Sequence, residues 1–296
     1  MPDASIAFRN GHFIAAEQLT LPAHDAGFVF GATITDFCRT FQGKLFHWHK
    51  HLARFLRDCH ECRIPVSFSL EELAHAGETL IQQNAKLLPD LGELALITFA
   101  TPGPLGYMIG LPENGPPTLG MHTFPLPVAR YAKFQEAGAI LEAVGVTAGC
   151  QSSIVPVPVK HRSRMNWWLA QRTCVIPGAV PVLLNAETGS PDAAIGSVLA
   201  VKDGVVIRPP ADAILDSISL QIAEKHCEKL GIAFREESLN FRDFGQLAGI
   251  SELLLVGSGF GIAGVKCWVQ DEREHALAWP GPVLQRLQPI WFLAQC

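Results

Sequence analysis

Charge is scarce in this sequence, and positive charge is scarcer. Of 296 residues only 17 % are charged, and 28 acidic side chains against 23 Lys and Arg give a formal net charge of −5. A protein that wraps phosphate backbones needs a basic excess, so nucleic acid is a poor partner for this chain. Low charge combined with 48 % hydrophobic positions also excludes an intrinsically disordered chain. A long apolar run is missing too. The longest, Leu253 to Val265, is interrupted by small residues and falls short of the ~20 residues that span a bilayer. The start, Met1-Pro2-Asp3-Ala4, lacks the basic and apolar regions of a secretory signal. Eight cysteines are scattered along the chain, which without that signal points to reduced thiols in the cytoplasm. Cys59 and Cys62 form a lone CxxC with no second pair at zinc-site spacing, and read as small core residues of a helix.

What the sequence does contain is an alternation of strand and helix signals, without repeats or low-complexity tracts. That pattern points to a mixed α and β architecture, and the length suggests two domains at ~150 residues each. Leu52, Phe55, Leu56 and Cys59 recur at helical spacing, and Ser69-Leu70-Glu71-Glu72 is a capping box that opens a second helix. Leu94–Thr101 reads as a buried strand. The stretch from Thr101 to Pro127 is dense in proline and glycine and reads as a long loop leading to a domain boundary near Pro127. The expected domains are therefore 1–127 and 128–296. In the second, strands are expected at Ala139–Val146, Pro181–Asn185 and Glu252–Val256. A hairpin turning at Asp203-Gly204 spans Val198 to Ile207, and a helix carrying Leu220, Ala223, Cys227 and Leu230 ends at Gly231.

Four local features can carry chemistry. Asp216-Ser217-Ile218-Ser219 opens a helix, where free N–H groups and hydroxyls suit an anion, although simple N-capping explains the same residues. Gly257-Ser258-Gly259-Phe260-Gly261 follows a strand and lets backbone approach a ligand, or is merely a glycine-rich turn. Lys160-His161-Arg162-Ser163-Arg164 is basic, yet Met165, Trp167 and Trp168 follow at once. A lysine in such a partly apolar setting loses its proton more easily and suits Schiff-base chemistry. His51-Leu52-Ala53-Arg54 places an arginine three residues after a histidine on a helix.

The order of these features resembles the fold-type IV pyridoxal-phosphate enzymes, which include branched-chain aminotransferases, D-amino acid aminotransferases and aminodeoxychorismate lyases. His24 to Gly31 resembles that family's "D-R-G-F-x-Y-G" segment, and His51 to Arg54 its "H-L-x-R". Lys160 to Met165 is similar to "K-H-x-N-R-L", and Leu184 to Val201 resembles the segment bearing an acidic residue, with Asp192 at that position. Asp216 to Ser219 resembles the phosphate turn "x-G-I-T", and Leu255 to Val265 the late "L-T-G-T-A-x-G-V" run. Four departures stand out. Asp192 stands in place of Glu, Ser217 in place of glycine, Arg164 in place of an aromatic residue, and Ala100-Thr101-Pro102-Gly103 where a Thr-Arg-Gly is usual.

The resemblance implies a mixed α/β, two-domain fold like that of D-amino acid aminotransferase, with pyridoxal 5'-phosphate as cofactor and a homodimer as the assembly. It implies Lys160 as Schiff-base lysine and proton shuttle, Asp192 as partner of the pyridine nitrogen, and Asp36 as an acid on the substrate side. The phosphate would be held by Arg54, Ser217, Ile218, Ser219 and Ser258, with Arg164 beside the cofactor. The implied reaction is transamination between an amino donor and a 2-oxo acid. Lys160-His161 and Arg164 lean towards the 4-amino-4-deoxychorismate lyase reaction, which eliminates pyruvate. A non-catalytic binding protein on the same fold would need neither Lys160 nor Asp192.

Overall fold

The structure, a computed structural model, describes residues 5–88, 92–147 and 154–292. These divide into two units. Unit 1 runs to Leu126 and also takes Lys160–Ser163; unit 2 takes Pro127–Val159 and the described residues from Arg164 onward. Lys160–Ser163, the segment with the candidate lysine, groups with unit 1 although it lies in the second half of the chain.

In unit 1 the elements are β1 (Ile6–Arg9), β2 (His12–Ala15), α1 (Ala26–Val29), β3 (Ile34–Phe41), β4 (Lys44–Leu45), α2 (Trp48–Glu61), α3 (Leu70–Asn84), β5 (Leu94–Thr101) and β6 (Thr118–Pro125). The described strands form one sheet in the order β2-β1-β6-β5-β3-β4. Strand β5 starts and stops where the apolar run Leu94–Thr101 does. The expected long loop is not one. Its last third is β6, an inner strand paired along its whole length with β5, from Leu94↔Pro125 to Thr101↔Thr118. Proline is tolerated there because Pro125 ends the strand.

Side chains alternate across β3, so Ile34, Asp36, Cys38 and Thr40 are buried on one side. Ser69 and Glu72 form the expected reciprocal cap at the start of α3. At the other end Asn84 accepts from the Ile6 N–H at 2.9 Å and donates to the Ile6 carbonyl at 2.8 Å, fastening α3 to β1. Helix α2 lies against α3 where Gly77 leaves room for the Trp48 ring. A Cβ there would come within 2.5 Å of it.

Unit 2 contains α4 (Val128–Ala137), β7 (Ala139–Thr147), α5 (Met165–Thr173), β8 (Val180–Asn185), β9 (Pro191–Ala193), β10 (Gly196–Lys202), β11 (Val205–Arg208), α6 (Ile218–Lys229), β12 (Phe234–Glu236), β13 (Glu252–Gly257), β14 (Gly261–Gln270), β15 (Arg273–Ala276) and α7 (Pro282–Leu287). Its strands run β12-β11-β10-β13-β14-β7-β8-β9, and β9 also pairs with β10, closing the ring. Inside it Leu141, Val182, Leu253, Leu255, Val265 and Trp268 form a continuous core. The hairpin at Asp203-Gly204 has both residues at positive φ, as its tight turn requires. Among the described residues no helix is long and apolar enough to cross a membrane.

Candidate active site

Unit 1 supplies the charged part. His51, Arg54 and Asp58 lie along one stripe of α2, at intervals of three and four residues. Across from them β3 presents Asp36. Its Oδ1 lies 2.7 Å from His51 Nδ1, and its Oδ2 accepts from Arg54 Nε at 2.9 Å and Nη2 at 2.7 Å. Asp36 is 1 % exposed, so burial by itself would raise its carboxyl, but Arg54 and His51 outweigh this and hold it down at about 2. Burial lowers His51, and the Asp36 carboxylate only partly restores it, which leaves a neutral imidazole at neutral pH. The geometry therefore gives Asp36 a different place from the substrate-facing one implied by the resemblance. It is sealed under α2 and balances the charge of Arg54.

One turn further along α2, Asp58 is fully buried. Its Oδ1 accepts from Arg57, and its Oδ2 accepts the backbone N–H of Lys160 at 2.9 Å. The Lys160 carbonyl accepts from the Thr35 N–H at 3.0 Å, so the lysine's main chain is held on both sides. Its charge is felt by both Asp36 and His51. Asp58 and Thr35 are not among the residues that the sequence motifs mark. The stripe His51–Arg54–Asp58 was a readable signal, since three polar residues share a face with buried Leu52 and Phe55.

Unit 2 supplies mainly neutral donors. Ser217 is the N-cap of α6, its hydroxyl accepting from the Leu220 N–H at 3.4 Å. The helix cannot itself satisfy the N–H groups of Ile218 and Ser219 in its first turn. Ser258 is half-buried in the turn between β13 and β14. Asp192 is half-buried on β9, opposite Leu183 and Ser197. Arg164 donates to the Ala194 carbonyl at 2.7 Å, its guanidinium 5.6 Å from the Trp167 ring centre and within the field of Asp192. Burial pushes Cys174 up to about 12 and Cys227 to about 11, leaving both as inert thiols.

Taken by chemistry alone, the candidate residues of each unit suit a phosphate-bearing aldehyde cofactor: in unit 1 an amine on a fixed backbone and a guanidinium, in unit 2 a helix start with hydroxyls and a carboxylate. D-alanine aminotransferase of Staphylococcus aureus (strain N315) is 26 % identical over 239 residues, covering 78 % of each chain. The branched-chain amino acid aminotransferase of Escherichia coli superposes with a TM-score of 0.84 at 21 % identity, over 99 % of this chain and 95 % of that one. The branched-chain aminotransferase of Thermoproteus uzoniensis gives 0.80 at 20 % identity, over 97 % and 93 %. The model of the family described as amino-transferase class IV matches residues 33–268. With most of its length matched, the chain belongs to the class IV aminotransferases, a family of pyridoxal-phosphate-dependent transaminases.

Proposed function

We propose that the chain binds pyridoxal 5'-phosphate through Lys160 and moves an amino group from an amino acid to a 2-oxo acid. The observation that carries this is the two-sided clamp on the Lys160 backbone, by Asp58 at 2.9 Å and Thr35 at 3.0 Å, beside a neutral imidazole and a compensated guanidinium. A general base works only when its position is fixed within hydrogen-bond reach of the proton it moves. When bound, the cofactor supplies an electron sink for the charge left by the departing α-proton. Lys160 Nζ takes that proton and returns it. Asp192 would keep a proton on the ring nitrogen, Arg54 would hold the phosphate, and Ile218, Ser219, Ser217 and Ser258 would donate to its oxygens. Arg164 flanks Asp192.

The same proposal includes a homodimer working in the cytoplasm. Large apolar side chains stay exposed on each unit, Phe28 at 74 % and Phe30 at 65 % in unit 1, and Trp168 at 58 % and Val175 at 73 % in unit 2. That is the kind of surface a homodimer covers. The six described free cysteines suit the reducing cytoplasm.

Borohydride reduction of the purified, cofactor-loaded enzyme, followed by peptide mapping, tests the central assignment. Pyridoxyl label on the Lys160 peptide is expected, and Lys160→Ala should lose turnover by on the order of 10²–10⁴-fold with unchanged melting. Label on another lysine, or a protein that takes up no cofactor, overturns it.

A further inference from the structure

Amino acids and 2-oxo acids both carry a carboxylate beside the carbon at which the amino group is exchanged, and a cation at that point selects for them. The corner of unit 1 after β5 offers none. Its sequence is Ala100-Thr101-Pro102-Gly103, and Thr101 is spent on structure, donating to Asp25 at 3.1 Å and accepting from the Gly103 N–H at 3.2 Å.

A cation stands instead two residues beyond the candidate lysine. The Thr35 N–H donates to the Lys160 carbonyl, and the Arg162 N–H donates to the Thr33 carbonyl at 2.8 Å, with Ile34 and His161 facing each other between them. In such an antiparallel ribbon side chains alternate, so His161 shares the side of Ile34, while Lys160 and Arg162 share the side of Thr33 and Thr35. Residues two apart on an extended segment start about 6.6 Å from each other.

The guanidinium of Arg162 is oriented. Its Nε donates to Thr35 Oγ1 at 3.2 Å, and its central carbon stands 5.8 Å from the centre of the Phe99 ring. Thr35 and Phe99 are cross-strand partners, and His122 lies on the same face of the sheet, one row along, opposite Ile97. Burial, with the nearby Arg162 charge, keeps His122 neutral. Arg162 itself is exposed. A planar, oriented guanidinium matches a carboxylate in a way an ammonium does not.

We propose that Arg162 binds the carboxylate of the amino and oxo acid substrates, which makes the enzyme selective for α-amino acids over simple amines. This rests on the assignment of Lys160 above, so borohydride labelling of Lys160 is checked first in every variant. Binding of 4-methylpentanoate and of its neutral amide to the holoenzyme is then compared by calorimetry for wild type, Arg162→Met and Arg162→Lys. The wild type should prefer the acid. Arg162→Met should lose that preference, with acid affinity falling about 10- to 100-fold and amide affinity unchanged, as expected for a charge-assisted bond. Arg162→Lys should recover part, and guanidinium chloride should partly restore the acid affinity of Arg162→Ala. A wild type that does not distinguish acid from amide overturns the assignment, as does an Arg162→Met variant that loses both alike. If Lys160 is not labelled in the wild type, the cofactor reading fails and takes this one with it. Labelled variants with an unchanged acid preference would discard Arg162 alone.

Discussion

The buried carboxylates Asp36 and Asp58 of unit 1 are met by charged or ring side chains, whereas the buried Glu142 and Glu252 of unit 2 are met by backbone. Asp36 depends on His51 and Arg54, and Asp58 on Arg57 as well as on one peptide N–H. In unit 2, by contrast, Glu142 accepts the N–H groups of Val175 and Ile176 at 2.9 and 3.0 Å. Glu252 accepts those of Val283 and Leu284 at 2.9 and 3.1 Å. The candidate phosphate donors of unit 2 follow the same rule, with a helix start and hydroxyls in place of cations. No substitution other than proline removes a peptide N–H, but any replacement of an arginine removes a guanidinium. Function and stability are therefore entangled in unit 1 and separable in unit 2.

The largest test of this contrast is Arg54. Removing it leaves the Asp36 carboxylate buried with a neutral imidazole as its remaining hydrogen-bond partner among the described residues. Breaking one partner of a buried pair costs about 3–5 kcal/mol, well beyond a lost neutral hydrogen bond. Arg54→Met should therefore destabilise the cofactor-free protein by roughly that amount. The effect should be visible in urea denaturation and as faster amide exchange in peptides from α2. Asp36→Asn combined with Arg54→Met should restore most of the stability, because no uncompensated charge remains, while leaving cofactor binding weak. If Arg54→Met alone melts like wild type, the Asp36–Arg54 pair contributes nothing and the contrast between the units collapses.

Acid sharpens the comparison by a smaller amount. His51 is lowered from its ordinary value, so the folded state takes up its proton later than the unfolded chain does. The stability it contributes is present above about pH 6.5 and is lost as pH falls below it. Half-buried His122 in unit 1 and buried His226 in unit 2 are lowered as well and act in the same direction. Asp36 adds a second loss as pH falls from near 4 towards 2, about 2 kcal/mol for the shift from 3.8 to about 2. Urea midpoints measured between pH 8 and 5 should decline for wild type, and less steeply for His51→Gln, whose amide can still donate to Asp36. A His51→Gln slope equal to that of wild type would mean that His51 carries no part of the acid sensitivity.

How far the sequence could be read follows the same division between local and non-local causes. The Ser69–Glu72 cap, the turn at Asp203-Gly204 and the run Leu94–Thr101 are dictated by neighbours in the chain, and each appears where expected. Strand β6 is not so dictated. Gly120 and the flanking prolines disfavour a strand, and what makes Thr118–Pro125 one is pairing with β5 and β1, which no local pattern announces. The site divides likewise. Ser217 at a helix start was legible, because capping is local. The partner of Arg54 was not, because Asp36 lies 18 residues away on a different element. Lys160 was singled out by its basic and aromatic neighbours, but its place in unit 1 comes from hydrogen bonds to Asp58 and Thr35, more than a hundred residues earlier.

Ser217 should give the smallest effect and the cleanest separation. Its hydroxyl accepts from Leu220 at 3.4 Å, long for a hydrogen bond, so the cap sits at the weak end of the usual range. Ser217→Ala should therefore cost about 0.5–1 kcal/mol of stability, and Ser217→Gly a few tenths. Affinity for pyridoxal phosphate should fall less than tenfold in either variant, since the N–H groups of Ile218 and Ser219 remain and one neutral bond is worth about 1 kcal/mol. Titration of the cofactor into Ser217→Ala, Ser217→Gly and Arg54→Met measures this beside the urea midpoints. In the serine variants binding and stability should move by small, unrelated amounts, and in Arg54→Met both should fall together. A loss of stability in Ser217→Ala as large as that in Arg54→Met would show that unit 2, too, depends on a side chain to hold its site.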